Sequence, residues 1–457
     1  MVHDSVAKPS EHPRNDRFFQ SPSPNFVVVS GSSGGSLSLF RNREFVALAS
    51  TAFARSQAYS TILIALALYA DQFGTTGTVE GLFGTAFALV QLLIVLPLGR
   101  LIDTHNAKRF LIVGLVLNVL TFVGFSLIGD VTGVILMRVL QGFGASILWI
   151  TGSAVVGELS PNEERGRWLG TYNQVGAFSS LAGDLVGGLL LFAYGFTVTY
   201  AVLSVVTIGA TLAVFFFLRD NPGGRSDPEE ATGVETLRRL LDRTAIRALV
   251  VFRLGLSFGK MAVIIFLPIY ARTAFGMNPF LVGVVLAGGK LTKSLLQGRV
   301  GSYTDRIGHR YQFVIAGALV YALGAAIIPL AEYAGRVFPT LSTSAFGGIT
   351  LVPAFFVLFG AFAIIGVADS LRLPASMALF VEEGEHFDAV AASLSLRSIG
   401  WKVGQVAGPF TVGAIWDVTG VFVAFLTAAG FIVVATGVFA ALYSLDPAPG
   451  ASPVPGD

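Results

Sequence analysis

Cysteine is absent from all 457 residues. That excludes disulfides, thiolate nucleophiles and any cysteine-held metal. Histidine is scarce, five in all and without paired spacing, so no zinc site is expected. Charge is scarce as well: Asp, Glu, Lys and Arg make up 13% of the chain, where a soluble domain carries roughly 25%. No Gly-x-x-x-x-Gly-Lys-Ser/Thr phosphate loop and no Ser/His/Asp constellation occurs, which argues against a nucleotide-driven pump and against an enzyme. The net charge of +2 is unremarkable, and neither a nucleic-acid partner nor a cofactor is expected. What fills the chain is apolar: 53% of residues are hydrophobic and the mean hydropathy is +0.72.

Runs of about 20 mainly apolar residues are long enough to cross a bilayer as helices. Twelve such spans are predicted, near 45–70, 79–101, 109–129, 132–157, 168–193, 196–218, 247–271, 280–300, 311–333, 349–377, 394–416 and 420–444. They lack the alternation of barrel strands. Lys and Arg concentrate in the loops of one side, at Arg100, Lys108, Arg109, Arg165, Arg167, Arg299, Arg306 and Arg310 and in the long loop with Arg238, Arg239 and Arg243; the other side has Arg272 and Arg336. The basic side is expected to be cytoplasmic, which puts both termini inside and the protein in the cytoplasmic (inner) membrane. The predicted organisation is a disordered cytoplasmic tail over 1–43, a six-helix bundle over 44–218, a cytoplasmic linker over 219–246, a second six-helix bundle over 247–444 and a tail over 445–457. The tail is rich in Ser, Pro, Gly and Asn, and its Phe26–Val29 run is too short for a signal-peptide core. Val234–Leu241 in the linker could form a short amphipathic helix, either on the membrane surface or solvated.

A charged motif occurs once in each half. Gly99, Asp103, Lys108 and Arg109 lie between spans 2 and 3; Gly301, Asp305, Arg306, Gly308 and Arg310 lie between spans 8 and 9. In both, the acid follows its glycine by four positions. The halves also share Tyr69 to Gly81 with Tyr270 to Gly283. Two like halves of the same topology imply a twofold axis along the membrane normal and a site between them near the midplane.

These motifs resemble the major facilitator superfamily of transporters, in particular its twelve-span, proton-coupled antiporter and efflux branches. The likeness covers about residues 44–444. The second loop copy matches the family's Gly-x-x-x-Asp-Arg-x-Gly-x-Arg throughout; the first departs at Thr104 and at Asn106, where glycine is usual. The resemblance implies that Gly99, Asp103, Lys108, Gly301, Asp305, Arg306 and Arg310 form conformational latches. The Asn106 turn is expected to survive, since Asn tolerates the left-handed conformation. Arg138-Val139-Leu140-Gln141-Gly142-Phe143-Gly144 in span 4 resembles the Arg-x-x-Gln-Gly-x-Gly pattern of proton-coupled members. Gly183-Asp184-Leu185-Val186-Gly187-Gly188 in span 5 resembles the antiporter element Gly-Pro-x-x-Gly-Gly, with Asp184 in place of proline. Gly183 and Gly187, and Gly404 and Gly408 in span 11, have the spacing of close helix packing.

Ionisable residues at mid-membrane cost roughly 2.5–3.5 kcal/mol each on insertion scales, so they should face each other or a wet cavity. Asp184 and Asp369 are the deep acids. Asp184, with Arg138 and Asp369, is the candidate for proton coupling; the alternative is that Asp184 forms a fixed ion pair with a lysine across the domain interface. Asp369 and Arg372 are three apart and can pair on one helix. Arg55, Gln141, Lys260, Lys290, Lys293 and Lys402 are candidate cavity residues, and the surplus of lysines points to an anionic solute. Arg253 and Arg397 lie near cytoplasmic ends and are expected to snorkel. The function these features imply is a secondary transporter working by alternating access and driven by a proton gradient, which exports a small organic solute. An importer or facilitator of an organic anion bound by Lys260, Lys290 and Lys293 is the alternative, and a non-transporting receptor or scaffold the second.

Overall fold

A computed structural model describes residues 36–220, 234–342, 349–387 and 389–445. Most of both predicted tails, and linker residues 221–233, lie outside the described residues. Twelve long helices occur among those described: α1 (Arg43–Phe73), α2 (Gly77–Thr104), α3 (Ala107–Ser126), α4 (Val131–Leu159), α5 (165–194), α6 (196–217), α7 (Thr244–Thr273), α8 (Pro279–Ile307), α9 (Arg310–Ile327), α10 (Pro353–Glu385), α11 (Val390–Thr419) and α12 (Val421–Tyr443). Helices α5 and α6 are one continuous path broken only at Gly195, where φ is 70° and ψ −166°. Nine helical stretches among the described residues are long and apolar enough to cross a membrane; that set counts the α5–α6 path once and omits the more polar α1 and α11.

Local chemistry sets the ends. Asn42, Asp130 and Asn278 cap α1, α4 and α8 by accepting backbone N–H bonds with their side chains, and Gly74 ends α1 in the left-handed conformation. Several expected boundaries move; α8 runs past 300 to Ile307, and the α-helical part of α9 stops at Ile327, short of 333. Helix α10 runs on from the expected 377 to Glu385, because Glu382 and Glu383 in its last turn find basic partners in Arg310 and Arg243. Residues 36–41, read from composition as part of the disordered tail, form a short 3-10 turn. Its Leu39 is buried and its Phe40 meets Phe45 edge-on at 5.6 Å. The linker helix Val234–Asp242 is not solvated all round: Leu240 is fully buried against Ile246, Ala392 and Leu396 of the second half.

The halves are built alike. Helix α7 packs on α11 and α12 as α1 packs on the α5–α6 path, and α10 packs on α8 and α9 as α4 packs on α2 and α3. The repeated tyrosines hold equivalent cores. Tyr69 stacks on Phe196 at 4.4 Å and donates to the Phe125 carbonyl at 2.7 Å; Tyr270 packs against Phe275, Trp416 and Phe425. Between the halves the contacts run along α2 with α11, α5 with α8 and α1 with α7. The end of the bundle that carries the two charged loops is called the basic end below, and the opposite one the far end.

Candidate functional site: the interface between the halves

Small residues let the halves meet at the far end. A Cβ on Gly81 of α2 would sit 2.4 Å from the Pro409 carbonyl of α11, and one on Gly283 of α8 would sit 2.0 Å from the Asp184 carbonyl of α5. Gly81 and Gly283 are the two glycines that end the repeated Tyr-to-Gly segment, so the repeat marks the inter-half seam. Gly77 against Gly413 and Gly188 against Pro279 extend it. Gly183 and Gly187 instead pack α5 on α1, against Gln57 and Thr61, while Gly404 and Gly408 pack α11 on α7, against Leu254 and Phe258.

Asp417 at the end of α11 caps the other half. It accepts from the Gly77 N–H at 2.6 Å, the Thr78 N–H at 2.9 Å and the Thr78 hydroxyl at 2.6 Å, so a carboxylate from one half closes the N-terminus of α2 in the other. Burial alone would raise this carboxyl; the bonds from Thr78 and Gly77 outweigh it and hold Asp417 below the usual carboxylate value. Arg272 of α7 meets Asp71 of α1 at 2.9 Å nearby. Sequence reading missed Asp417, whose position at a helix end carries no periodic signal.

Deeper in, Asp184 is fully buried and its carboxylate lies 2.6 Å from the Lys290 ammonium of α8. Lys290 also donates to the hydroxyls of Ser60 and Ser180 at 2.8 Å, and these two hydroxyls are 2.6 Å apart. Asp184 and Lys290 thus meet across the domain interface, an arrangement compatible with either of the two readings open for Asp184. In the second half Asp369 takes both Arg372 and Lys260, and both cations also lie over the Tyr321 ring. Two of the three proposed anion-binding lysines, Lys260 and Lys290, are thus already matched by carboxylates. Lys293 acts on Asp369 from farther away and makes no ion pair among the described residues. Lys402 bridges the halves by a different route, donating to Gln91 of α2 and to Gln405 on its own helix.

Arg138 does not snorkel. It is 1% exposed, donates to the Phe83 carbonyl at 2.6 Å and to Gln141 at 2.5 Å, and stacks on Phe87 at 4.4 Å. Arg55 stacks on Trp149 at 4.2 Å. Arg253 does not extend out of the protein either: it is 8% exposed and stacks on Trp401 at 4.2 Å.

At the basic end four ion pairs join groups of the same half. Lys108 meets Asp220 at 3.2 Å and Glu44 meets Arg219 at 2.6 Å in the first; Arg243 meets Glu383 at 2.9 Å and Arg310 meets Glu382 in the second. The side chains of Asp103 and Asp305 lie outside the described residues. Gly99 and Gly301 have open space where a Cβ would stand. Gly308 ends α8 at φ 76°, as the motif's glycine should. Asn106 is not left-handed: at φ −65° and ψ 106° it is extended and caps α3, accepting from the Lys108 N–H at 3.0 Å. The turn survives because Asn supplies a side-chain cap in place of glycine's backbone freedom.

Two six-helix halves, joined along glycine-lined seams and holding ionic contacts within and between them, define a membrane transporter architecture. The chain belongs to the Major Facilitator Superfamily, whose model matches residues 48–356 and 249–457. It is similar to the multidrug resistance protein MdtG of Salmonella choleraesuis, 24% identical over 400 residues, covering 86% of this chain and 92% of that protein. It is also similar to a multidrug resistance efflux pump PmrA homolog of Lactococcus lactis, 25% identical over 260 residues, covering 55% of this chain and 64% of that one. The crystal structure of a bacterial homolog of the human lysosomal transporter Spinster, inward-facing and unoccupied, shares the fold at a TM-score of 0.73 and 15% identity, covering 93% of this chain and all of that one. The protein is a multi-pass membrane transporter of the family and not an enzyme.

Proposed function

We propose that the protein is a proton-coupled exporter of a small organic solute that works by alternating access. In this reading the twelve long helices all span the inner membrane, the basic end and both termini are cytoplasmic, and the conformation described is open inward. The Asp184–Lys290 pair carries the reading. It is a fully buried carboxylate and a partly exposed ammonium contributed by opposite halves, placed beside the seam that must part when the protein opens outward. Removing one partner of such a pair leaves an uncompensated buried charge, at about 3–5 kcal/mol. Opening outward with solute bound separates the pair; Asp184 then takes up a proton from outside, which neutralises the carboxylate while Lys290 is away from it. The proton is released to the inside when the halves close and the Asp184–Lys290 pair re-forms, so a proton enters as a solute leaves. Export is supported by the relatives named for multidrug resistance and efflux.

Proteoliposomes with an internal pH-sensitive dye and a panel of fluorescent organic solutes test this. An imposed proton gradient should drive solute movement against its own gradient, and solute should in turn move protons. Asp184→Asn should retain downhill solute flux and lose the linked proton flux. Unchanged proton movement in Asp184→Asn would remove Asp184 from coupling.

A further inference from the structure

Around Asp369 the charges do not balance. One carboxylate faces Arg372 and Lys260 directly, and Arg253 and Arg397 come from α7 and α11, which pack on each other and on α10; a Cβ on Gly400 of α11 would stand 3.7 Å from the Arg253 Cβ. Neither Arg253 nor Arg397 has an ion pair among the described residues. Buried guanidinium donors are left without partners: Nε of Arg253, Nε and Nη1 of Arg372, and Nε of Arg397. Arg253 and Arg372 are 8% and 1% exposed, so these donors are turned into the protein and not toward its surface. An unmade buried hydrogen bond costs about 1–3 kcal/mol, and more for a charged group. Several on neighbouring arginines would be a costly arrangement for a residue set whose only task is packing.

The geometry is that of a receptor for an anion. Arg397 and Trp401 share one face of α11, one turn apart, and Trp401 lies under the Arg253 guanidinium at 4.2 Å. Arg253 comes from α7 and Arg372 from α10, so three helices of one half converge. Guanidinium donors form a planar fork that fits the two oxygens of a carboxylate or phosphonate, and the indole beside them offers a flat apolar platform for the rest of a ligand. We propose that Arg253, Arg372 and Arg397 form an anion-binding site in the second half, with Trp401 packing against the ligand's body, and that the solute is an organic anion of carboxylate or phosphonate type. This rests on the transporter reading and names its substrate class. It transfers the anion role from Lys260 and Lys290, which carboxylates already hold, to arginines that sequence reading placed at the membrane edge.

The test is binding to the purified full-length protein, followed by tryptophan fluorescence and by thermal stabilisation. The probes are phenylacetate, phenylphosphonate, the neutral phenylacetamide and the cation tetraphenylphosphonium. The two acids should quench fluorescence and raise the melting temperature, with the amide at least tenfold weaker. Arg397→Gln, a partly exposed position, should weaken acid binding roughly 10- to 100-fold, the size expected for charge-assisted hydrogen bonds, while Arg397→Lys should restore part of it. Arg253→Gln should act in the same direction, and Trp401→Phe should remove the quenching but keep the stabilisation. No response to either acid, equal binding of the amide, or unchanged acid affinity in a folded Arg397→Gln protein would each overturn the site. Acid binding without any flux in proteoliposomes would leave the site standing and sink the proton-coupled exporter reading instead.

Discussion

The two ends of the bundle are held by different physics. At the far end the halves touch backbone to backbone across glycines, and a carboxylate from one half caps a helix of the other. At the basic end the ion pairs Lys108–Asp220, Glu44–Arg219, Arg243–Glu383 and Arg310–Glu382 tie polar segments together within one half. Close apolar packing is short-ranged and nearly all-or-none, because a gap of an ångström forfeits much of the dispersion energy. Charged pairs near a polar surface are softer and exchange partners at little cost. A seam of the first kind makes a firm stop, and a rim of the second kind can rearrange.

That contrast can be broken most forcefully at Gly81. Any Cβ there collides with the Pro409 backbone, which cannot turn aside as a side chain can. Gly81→Leu should push the far end apart and abolish transport in an otherwise folded protein. Because the chain has no cysteine, spin labels on single introduced cysteines at the far end would report the widening directly. A far end still closed in Gly81→Leu would mean that the seam does not set the conformation.

Asp417→Asn should have a smaller effect, about 0.5–2 kcal/mol, the range for losing a helix cap. Its pH dependence has a definite sign. The Asp417 carboxyl is held below its usual value in the closed state, so it stabilises that state above the ordinary carboxylate pKa of about 4. The contribution is lost as pH falls through the lowered value. Distance measurements on the same labelled protein from pH 7 down to pH 3 should show the far end loosening at the acid extreme, with Asp417→Asn flat over that range.

The smallest effect should come from Glu44→Gln. Arg219 holds the Glu44 carboxyl low, chiefly through a side-chain hydrogen bond, but the pair is partly solvated and Arg219 is mostly exposed. A stability change within about 0.5 kcal/mol, erased by added salt, is expected from thermal unfolding. A loss comparable to that of Asp417→Asn would erase the distinction between a firm end and a soft one.

Most of the helix frame was legible because length and hydropathy alone decide where a chain can cross a bilayer. Tyr69 with Tyr270, and Gly81 with Gly283, were visible as a repeat before their roles were. What stayed hidden was partnership. Nothing along the chain says that Lys290 of one half meets Asp184 of the other, since a helical period reports a face but not what lies opposite. The same limit explains Arg253: counted from its helix end it looks able to reach the surface, yet Trp401 of α11 holds its guanidinium in. Asp417 and Glu382 escaped notice because helix-end acids are common and become informative only once a second helix terminus or an arginine is set beside them.

Gly195 has a counterpart at Gly420, which joins α11 to α12 with φ 88° and ψ 175°. Each is a one-residue corner at the far end, with open space where a Cβ would stand. A corner of one residue has no slack. Torque applied to α5 or α11 passes straight into α6 or α12, so each helix pair swings as a single lever, as an arm with a welded elbow would. The same stiffness makes these corners poor places to splice in a tag or an epitope, which would replace the weld with a loose joint and let one helix lag behind the other.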